Sequence, residues 1–436
     1  MRGNMSNLNS ISNVGTASAT KAASMFGTPL YLYDEHTIQK RCRECLEMPN
    51  AYGLTVRYAM KANSNKSLLG IISNIGLHFD ASSLNEAMRA HLAGIPYENI
   101  MLTTQEVYHG DAMKQLEDLL LLGLKYNVCS LRQLAMVADF AENHGIDPGI
   151  RVHPGIGSGE SATRNTGDDY ACFGVHLSDI DEALAIAAKH NLRFRHIHEH
   201  IGSGGDSQVW RKNIDLELGI VEKYFPDAES IGFGGGLKEA RMPEEKPADI
   251  NDLGNYAKKQ IEAFFHKTGR KLRMEIEPGT YIIANSGYAI TRVIDKKRTS
   301  RSNFVIIDGG MEINARPLLY GSRHPIYIVA GDGSAIKSSD FDEVPGGYEA
   351  VIAGICCESG DCQTLDPDGH SVPRAMAEPE IGDIAIIGGT GAYCSSMAPF
   401  NYNSHTQIPE VLLSENGELK LIRKRQTLEQ MLENEV

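Results

Sequence analysis

Between residues 57 and 279 the chain alternates short apolar runs, each ending in a polar residue or glycine, with stretches of helical periodicity. The runs fall at 57–63, 78–83, 100–104, 126–130, 149–155, 195–203, 230–236 and 273–279. Between them, Leu68, Ile71, Ile72 and Ile75 follow the i, i+3, i+4, i+7 spacing of one helix face. Ile180, Ala183, Leu184 and Ala187 do the same, and the pattern predicts a start at Ser178 with Asp181 three residues on as its cap. Eight strands alternating with helices is the count of a closed (β/α)8 barrel. An open doubly wound sheet has similar local signals, and the barrel is the expectation.

Beyond residue 285 the pattern changes. Short β-rich runs at 286–295, 303–308, 326–330, 349–355, 383–388 and 410–422 are separated by Gly, Pro, Asp and Ser, which predicts an all-β barrel or sandwich. Pro29-Leu30-Tyr31-Leu32-Tyr33 is also strand-like and is expected to join that sheet. The resulting division is a disordered leader over 1–26, a strand segment over 27–36, the barrel over 37–285 and the β domain over 286–436. The leader is rich in Ser, Asn and Ala and lacks the apolar core of a secretory signal.

A net charge of −14 argues against nucleic acid or an anionic membrane as partner, because either needs a basic face. A small-molecule substrate fits better. The eight cysteines have no framework spacing and read as thiols of a reducing compartment. Cys42 and Cys45 have redox or zinc spacing, but they sit in a charged helical stretch without a second pair, so the spacing is taken as coincidence. No apolar run reaches the roughly 18 residues of a membrane span. A cytoplasmic enzyme is the expectation.

Active sites of such barrels lie at the C-terminal ends of the strands. Lys61, in Tyr58-Ala59-Met60-Lys61-Ala62-Asn63, falls at the end of the first strand, where a desolvated amine becomes nucleophilic and able to form a Schiff base. Asp80 ends the second strand, His200 the sixth, Gly234, Gly235 and Gly236 the seventh, and Glu277 the eighth. Three glycines after strand seven offer backbone N–H groups that no Cβ blocks, which suits a phosphate. An amine, a phosphate cradle, a carboxylate and an aromatic ring together describe a site for pyridoxal 5′-phosphate (PLP), with Glu277 against the pyridine nitrogen and an imidazole stacked on the ring. His198 and His200, at i and i+2, could alternatively hold a metal, but no further ligand cluster accompanies them and none is expected. In the β-rich part, Cys357-Glu358-Ser359-Gly360-Asp361 and Gly391-Ala392-Tyr393 are loops dense in reactive groups.

These segments, in this order, resemble the fold-type III PLP decarboxylases, most closely the diaminopimelate decarboxylases and their ornithine and arginine decarboxylase relatives. The resemblance runs from about residue 27 to the C-terminus. It implies that Lys61 carries the cofactor and that His200 stacks on it. Asp80, Ser203, Gly234 to Gly236, Glu277, Gly279, Thr280 and Tyr393 would complete the cofactor site. It implies that Cys357 returns a proton late in the reaction, and that Arg316, Tyr320, Glu358 and Tyr393 hold the far end of a diamino acid. It also implies a homodimer in which Cys357 and Glu358 of one subunit complete the site around Lys61 of the other. The expected reaction is decarboxylation of meso-2,6-diaminopimelate to L-lysine, with D-lysine or D-ornithine decarboxylation, an amino-acid racemase and a non-catalytic PLP-binding protein as rivals. Two positions depart from the pattern: Thr280 stands where the family usually has Arg, and Cys172 where it usually has Lys. Arg164 and Arg323 are candidates to replace the missing cation.

Overall fold

The computed structural model describes residues 11–158, 165–202 and 206–436, and these divide into two units. One unit comprises Arg41–Lys238 and Pro247–Tyr281; the other comprises the segment up to Lys40, Glu239–Lys246 and Ile282–Val436. The first strand, β1 (Leu30–Asp34), belongs to the second unit. The strands of the first unit are β2 (Leu54–Ala59), β3 (His78–Ala81), β4 (Ile100–Thr103), β5 (Lys125–Val128), β6 (Gly149–His153), the two-residue β7 (Val175–His176), β8 (His196–His198), β9 (Ser230–Gly232) and β10 (Arg273–Ile276).

All eight expected runs form strands. They pair in parallel in the ring β2-β3-β4-β5-β6-β8-β9-β10, and the pairing of the last strand, β10, with the first, β2, closes the barrel. β7 pairs only with β6, outside that ring. The strands end before several of the runs do: β8 stops at His198, β9 at Gly232 and β10 at Ile276, so His200, Gly234 and Glu277 lie in the loops that follow. The run at 57–63 is strand only to Ala59 and then makes one 3-10 turn, Met60–Ala62, so Lys61 sits on a turn past the strand. The helix expected from Ser178 begins at Ile180, because the Ser178 hydroxyl bonds His176 and Asp179 in a preceding 3-10 turn instead of capping. The helix Lys66–Asn74 is capped by the Asn65 side chain, which accepts from Ser67 N–H at 2.9 Å, and it buries Leu68, Leu69 and Ile72. The Cys42 and Cys45 thiols are buried and free, and burial pushes Cys42 up to about 12, which removes it from thiolate chemistry.

Charge lies inside the barrel. Arg57 on β2 is 1% exposed and donates from Nε to Glu275 Oε2 on β10 at 2.6 Å, tying the two strands whose pairing closes the cylinder. Burial alone would raise the Glu275 carboxyl, but Arg57 foremost, then His196, holds it at about 2. The flanking imidazoles of His78 and His196 are pushed to about 4 by burial and are neutral at pH 7. A second buried acid group lies where the chain leaves β8. Glu199 and, on the helix Ser207–Tyr224, Glu217 are both 0% exposed, and neither carboxyl makes a hydrogen bond. Burial raises both well above the usual range; the Glu199 and Glu277 charges push Glu217 further up, while Arg151 opposes the shift at Glu199.

The second unit is one ten-stranded, mainly antiparallel sheet. Its strands after β1 are β11 (Gly287–Arg298), β12 (Asn303–Ile307), β13 (Ile326–Val329), β14 (Ile336–Ser339), β15 (Tyr348–Ala353), β16 (Arg374–Met376), β17 (Ile384–Gly388), β18 (Glu410–Leu413) and β19 (Leu419–Arg423). The central order is β14-β13-β17-β11-β1-β18-β19, and β12, β15 and β16 extend from the far half of β11 after a register shift at Val293. β1 therefore does join this sheet, between β11 and the parallel β18. The expected single run at 410–422 is a hairpin, β18 and β19.

The expectation of a disordered leader fails for residues 11–26, which form a helix, Ile11–Phe26, kinked at Gly15. Ala19, Ala22 and Ala23 pack it against Leu30, Tyr288, Val329 and Ile386 in the core of the sheet. A stripe of small residues lets a polar-looking helix approach closely, and such a stripe gives little hydrophobic signal.

Two stability predictions follow from the buried charges. Arg57→Met strands Glu275 and should cost about 3–5 kcal/mol in urea unfolding, while Arg57→Met combined with Glu275→Leu should recover much of that loss. The depressed Glu275 pKa contributes stability above its ordinary value of 4.5 that is lost as pH falls toward about 2, so the single variant should lose this acid limb. For Glu217 the sign reverses. A raised pKa favours the fold below 4.5 and the benefit fades as pH rises, so the Tm gained by Glu217→Gln should grow between pH 5 and pH 8. A gain independent of pH would mean that the carboxyl is not held protonated.

Candidate active site

The C-terminal mouth of the barrel collects the expected cofactor residues of the first unit. Lys61 Nζ lies 3.2 Å from Asp80 Oδ2, across the adjacent ends of β2 and β3. The lysine side chain is 41% exposed, so protein alone does not desolvate it as expected. Asp80 is 1% exposed, and burial, then the Glu277 charge, raise it to about 6 against the pull of Lys61.

Glu277 follows β10 and accepts from His198 Nε2 at 3.0 Å. Burial would raise its carboxyl, but His198, Lys61 and His200 outweigh it and hold Glu277 well below the usual carboxylate range. His198 thus enters the site as the partner of Glu277, a role its spacing did not reveal.

His200 is placed by the glycine loop. Its Nδ1 accepts the Gly235 N–H at 3.0 Å, which leaves the ring proton on Nε2, and burial with the nearby Arg151 and Lys61 charges keeps it neutral. A Cβ on Gly234 would come within 2.6 Å of Glu199 O, one on Gly235 within 2.6 Å of Glu277 O, and one on Gly236 within 2.7 Å of Gly202 O. The glycines are therefore required first for the close approach of the loops after β8, β9 and β10, and the Gly235 N–H is already engaged. Gly279 likewise packs against Ala59 and Ala62 on either side of the lysine turn, and Thr280 opens the short helix Thr280–Ile283, half-buried. Ser203 and Arg164 lie outside the described residues. Cys172 is exposed.

The second unit carries the other expected residues. Arg316 is 1% exposed, with Nε 3.3 Å from His324 Nε2 and Nη2 3.2 Å from Ser322 Oγ. Its guanidinium lies 5.7 Å from the ring of Tyr320, whose hydroxyl reaches Met397 Sδ at 3.6 Å. Cys357 and Glu358 are exposed on a loop that Asp361 fixes by accepting from Met311 N–H at 2.5 Å and Cys356 N–H at 2.6 Å. Asn403 holds the Cys357 N–H at 2.7 Å. Tyr393 is half-buried at φ 57°, in a loop whose Gly391 backbone would lie 2.3 Å from a Cβ on Gly287, while a Cβ on Gly391 would meet Ile283 O at 1.8 Å. Arg323, a candidate replacement cation, is exposed and bonded to Glu244.

The residues at the barrel mouth fit PLP. An amine with an adjoining carboxylate, an acid kept ionised for a pyridinium partner, a neutral imidazole and a Cβ-free loop occur at one end of one unit. Asp80 Oδ1 and His198 Nδ1 are buried there without partners, as polar groups facing a bound group would be.

Residues 35–284 match the family described as pyridoxal-dependent decarboxylase, pyridoxal binding domain. The chain is 34% identical to the diaminopimelate decarboxylase of Escherichia coli over 412 residues, 93% of each protein. A crystal structure of diaminopimelate decarboxylase superposes with a TM-score of 0.87 at 32% identity, covering 97% of this chain and 96% of that one. That of Helicobacter pylori, complexed with L-lysine, gives 0.78 at 28% identity over 95% and 98%. Family match, shared fold and an amine, carboxylate and glycine loop at one barrel end agree: this chain belongs to the pyridoxal-dependent decarboxylases.

Proposed function

We propose that the protein is a PLP-dependent carboxy-lyase that converts meso-2,6-diaminopimelate to L-lysine. The observation that carries the reading is the pairing of Lys61 with Asp80 beside an ionised Glu277 at the barrel mouth. The substrate is supported by the full-length similarity to diaminopimelate decarboxylases and by the L-lysine in the Helicobacter pylori structure.

When bound, PLP supplies an electron sink for the bonding pair released as CO2 leaves. Lys61 is the amine that anchors it, and Asp80 Oδ2, 3.2 Å away, can take and return the ammonium proton. With its carboxyl at about 6, Asp80 is mostly ionised at pH 7 and free to accept. Glu277, held ionised by the His198 hydrogen bond, keeps a positive partner protonated. Neutral His200 offers a flat face whose orientation the Gly235 N–H fixes. In the second unit, Arg316 provides a buried guanidinium for a carboxylate, Glu358 a carboxylate for an ammonium, and Cys357 an exposed thiol that can return a proton to Cα. A well-placed acid in that step is worth about 10²- to 10⁴-fold.

The exposure of Cys357 and Glu358 supports a homodimer in which they act in the partner's site. No helix among the described residues is long and apolar enough to cross a membrane.

CO2 release measured with meso-diaminopimelate, D-lysine and D-ornithine tests the reaction and its substrate. Diaminopimelate should be preferred, Lys61→Ala should be inactive, and Cys357→Ala should take up PLP normally yet lose turnover. Preference for D-lysine or D-ornithine would reassign the substrate, and failure of Cys357→Ala to bind cofactor would make Cys357 structural. Mixing Lys61→Ala with Cys357→Ala under subunit exchange should restore about a quarter of wild-type activity, since random mixing gives half the dimers one intact site. Demonstrably mixed dimers with no activity would place both residues in a single chain's site.

A further inference from the structure

Arg241 is a buried cation that the reading above does not use. It lies on Glu239–Lys246, the segment between β9 and the helix Ile250–Thr268 that belongs to the β unit, and it is 4% exposed. Its Nε donates to Gly389 O at 3.0 Å. Gly389 has φ +67°, and a Cβ there would fall within 2.8 Å of the Arg241 stem, so the stem fills the room that glycine leaves and the guanidinium is held in place.

The head group is short of partners. Nη2 is buried and bonds to nothing, and among the described residues no carboxylate pairs with this guanidinium. Glu245 Oε2 is taken by the backbone N–H groups of Arg241 and Met242 and Glu239 Oε1 by Asn285; Glu239 Oε2 is buried without a hydrogen bond, and so makes none to this guanidinium. An arginine cannot shed its proton to relieve burial, so an unpaired donor here is costly unless an anion meets it.

Its surroundings point the same way. His324 stands between the Arg316 side chain and the Gly388-Gly389 loop: Nε2 accepts from Arg316 Nε at 3.3 Å, and Nδ1 donates to Gly388 O at 2.9 Å. Burial, with the Arg241 and Arg316 charges, keeps this imidazole neutral, so two guanidiniums flank one uncharged ring. Burial acts most on the Arg241 charge, opposed by Cys394, then by the Glu245 and Glu239 carboxylates, and last by Tyr393, which is expected in the substrate site. Thr280 offers no charge, and Arg323 is bonded to Glu244.

We infer that Arg241 is a specificity-determining residue of the decarboxylation: with Arg316 it takes the carboxylate at the far, L-configured end of the substrate. This rests on the diaminopimelate reading. CO2 leaves the D end, so L-lysine retains that far carboxylate, whereas cadaverine lacks it.

The test uses PLP-loaded wild type, Arg241→Gln and Arg241→Lys. Loss of one guanidinium contact to a charged group should raise KM for meso-diaminopimelate by about 10- to 100-fold in Arg241→Gln, with kcat changed by less than about threefold. Inhibition by L-lysine should weaken in parallel while inhibition by cadaverine does not, and Arg241→Lys, which keeps charge without the planar fork, should fall between. If Arg241→Gln does not fold, the lysine variant carries the same comparison. An unchanged KM, or a drop in kcat with a lower Tm and equal loss for both inhibitors, would reduce Arg241 to a strap for the Gly389 loop. A wild type with no activity on meso-diaminopimelate overturns the function and the inference together, whereas active wild type with an indifferent variant overturns the inference alone.

Discussion

The contact on which the barrel's interior depends is the Arg57–Glu275 pair, because it joins the first and last strands across the seam that closes the cylinder. Parallel pairing alone would leave a seam of two short strands, each with a charge pointing inward. Separately, each charge would carry a desolvation cost of several kcal/mol; at 2.6 Å, with one Glu275 oxygen on Nε and the other on Nη2, each answers the other. His78 and His196 complete the surroundings as neutral imidazoles, adding polarity without adding charge.

One turn of the pleat above this pair, the same strands carry the reactive groups. Side chains alternate along a strand, so Glu277 follows Glu275 on the inner face, His198 follows His196, and Asp80 follows His78. The structural pair at the base and the chemical pairs at the mouth are thus successive levels of one polar interior. The base has a fixed cation that holds Glu275 at about 2; the mouth has a titratable amine and imidazoles, which leave Asp80 at about 6 and Glu277 ionised. Two neighbouring carboxyls with different pKa values are suited to the two tasks proposed for them, Glu277 to hold a charge and Asp80 to exchange a proton with Lys61.

Much of this was legible in the chain. Eight short apolar runs gave eight barrel strands because a parallel strand is buried on both faces and reads as a continuous apolar segment. Lys61, Asp80, His200 and Glu277 were singled out because barrel chemistry sits at strand ends, and the structure gathers them at one end of the barrel. What escaped had no local signature. The helix Ile11–Phe26 hides its core face in alanines, and β14 and β16 are short strands at the sheet's margins with few apolar residues. His198 was legible only as a neighbour of His200; its hydrogen bond to Glu277, 79 residues away, has no local signature. Arg241 sits among Glu239, Glu244 and Glu245 and reads as solvated surface; its burial follows from which unit that segment joins, and no periodicity encodes that.

The division of residues between the two units separates two problems. The barrel supplies groups that any amino-acid decarboxylation on PLP requires: an amine, its proton acceptor, an ionised acid and a neutral ring. Backbone fixes their surroundings, since the Gly235 N–H holds His200 and a Cβ on Gly279 would press on Ala62 at 3.2 Å and Ala59 at 3.3 Å beside the lysine turn. The side chains proposed to read a substrate's far end lie in the β unit, where glycines again set the backbone, with Gly389 making room for the Arg241 stem and Gly287 for Gly391. Under the proposed function, a change of substrate needs only different side chains in the β unit, while the groups at the barrel mouth stay as they are.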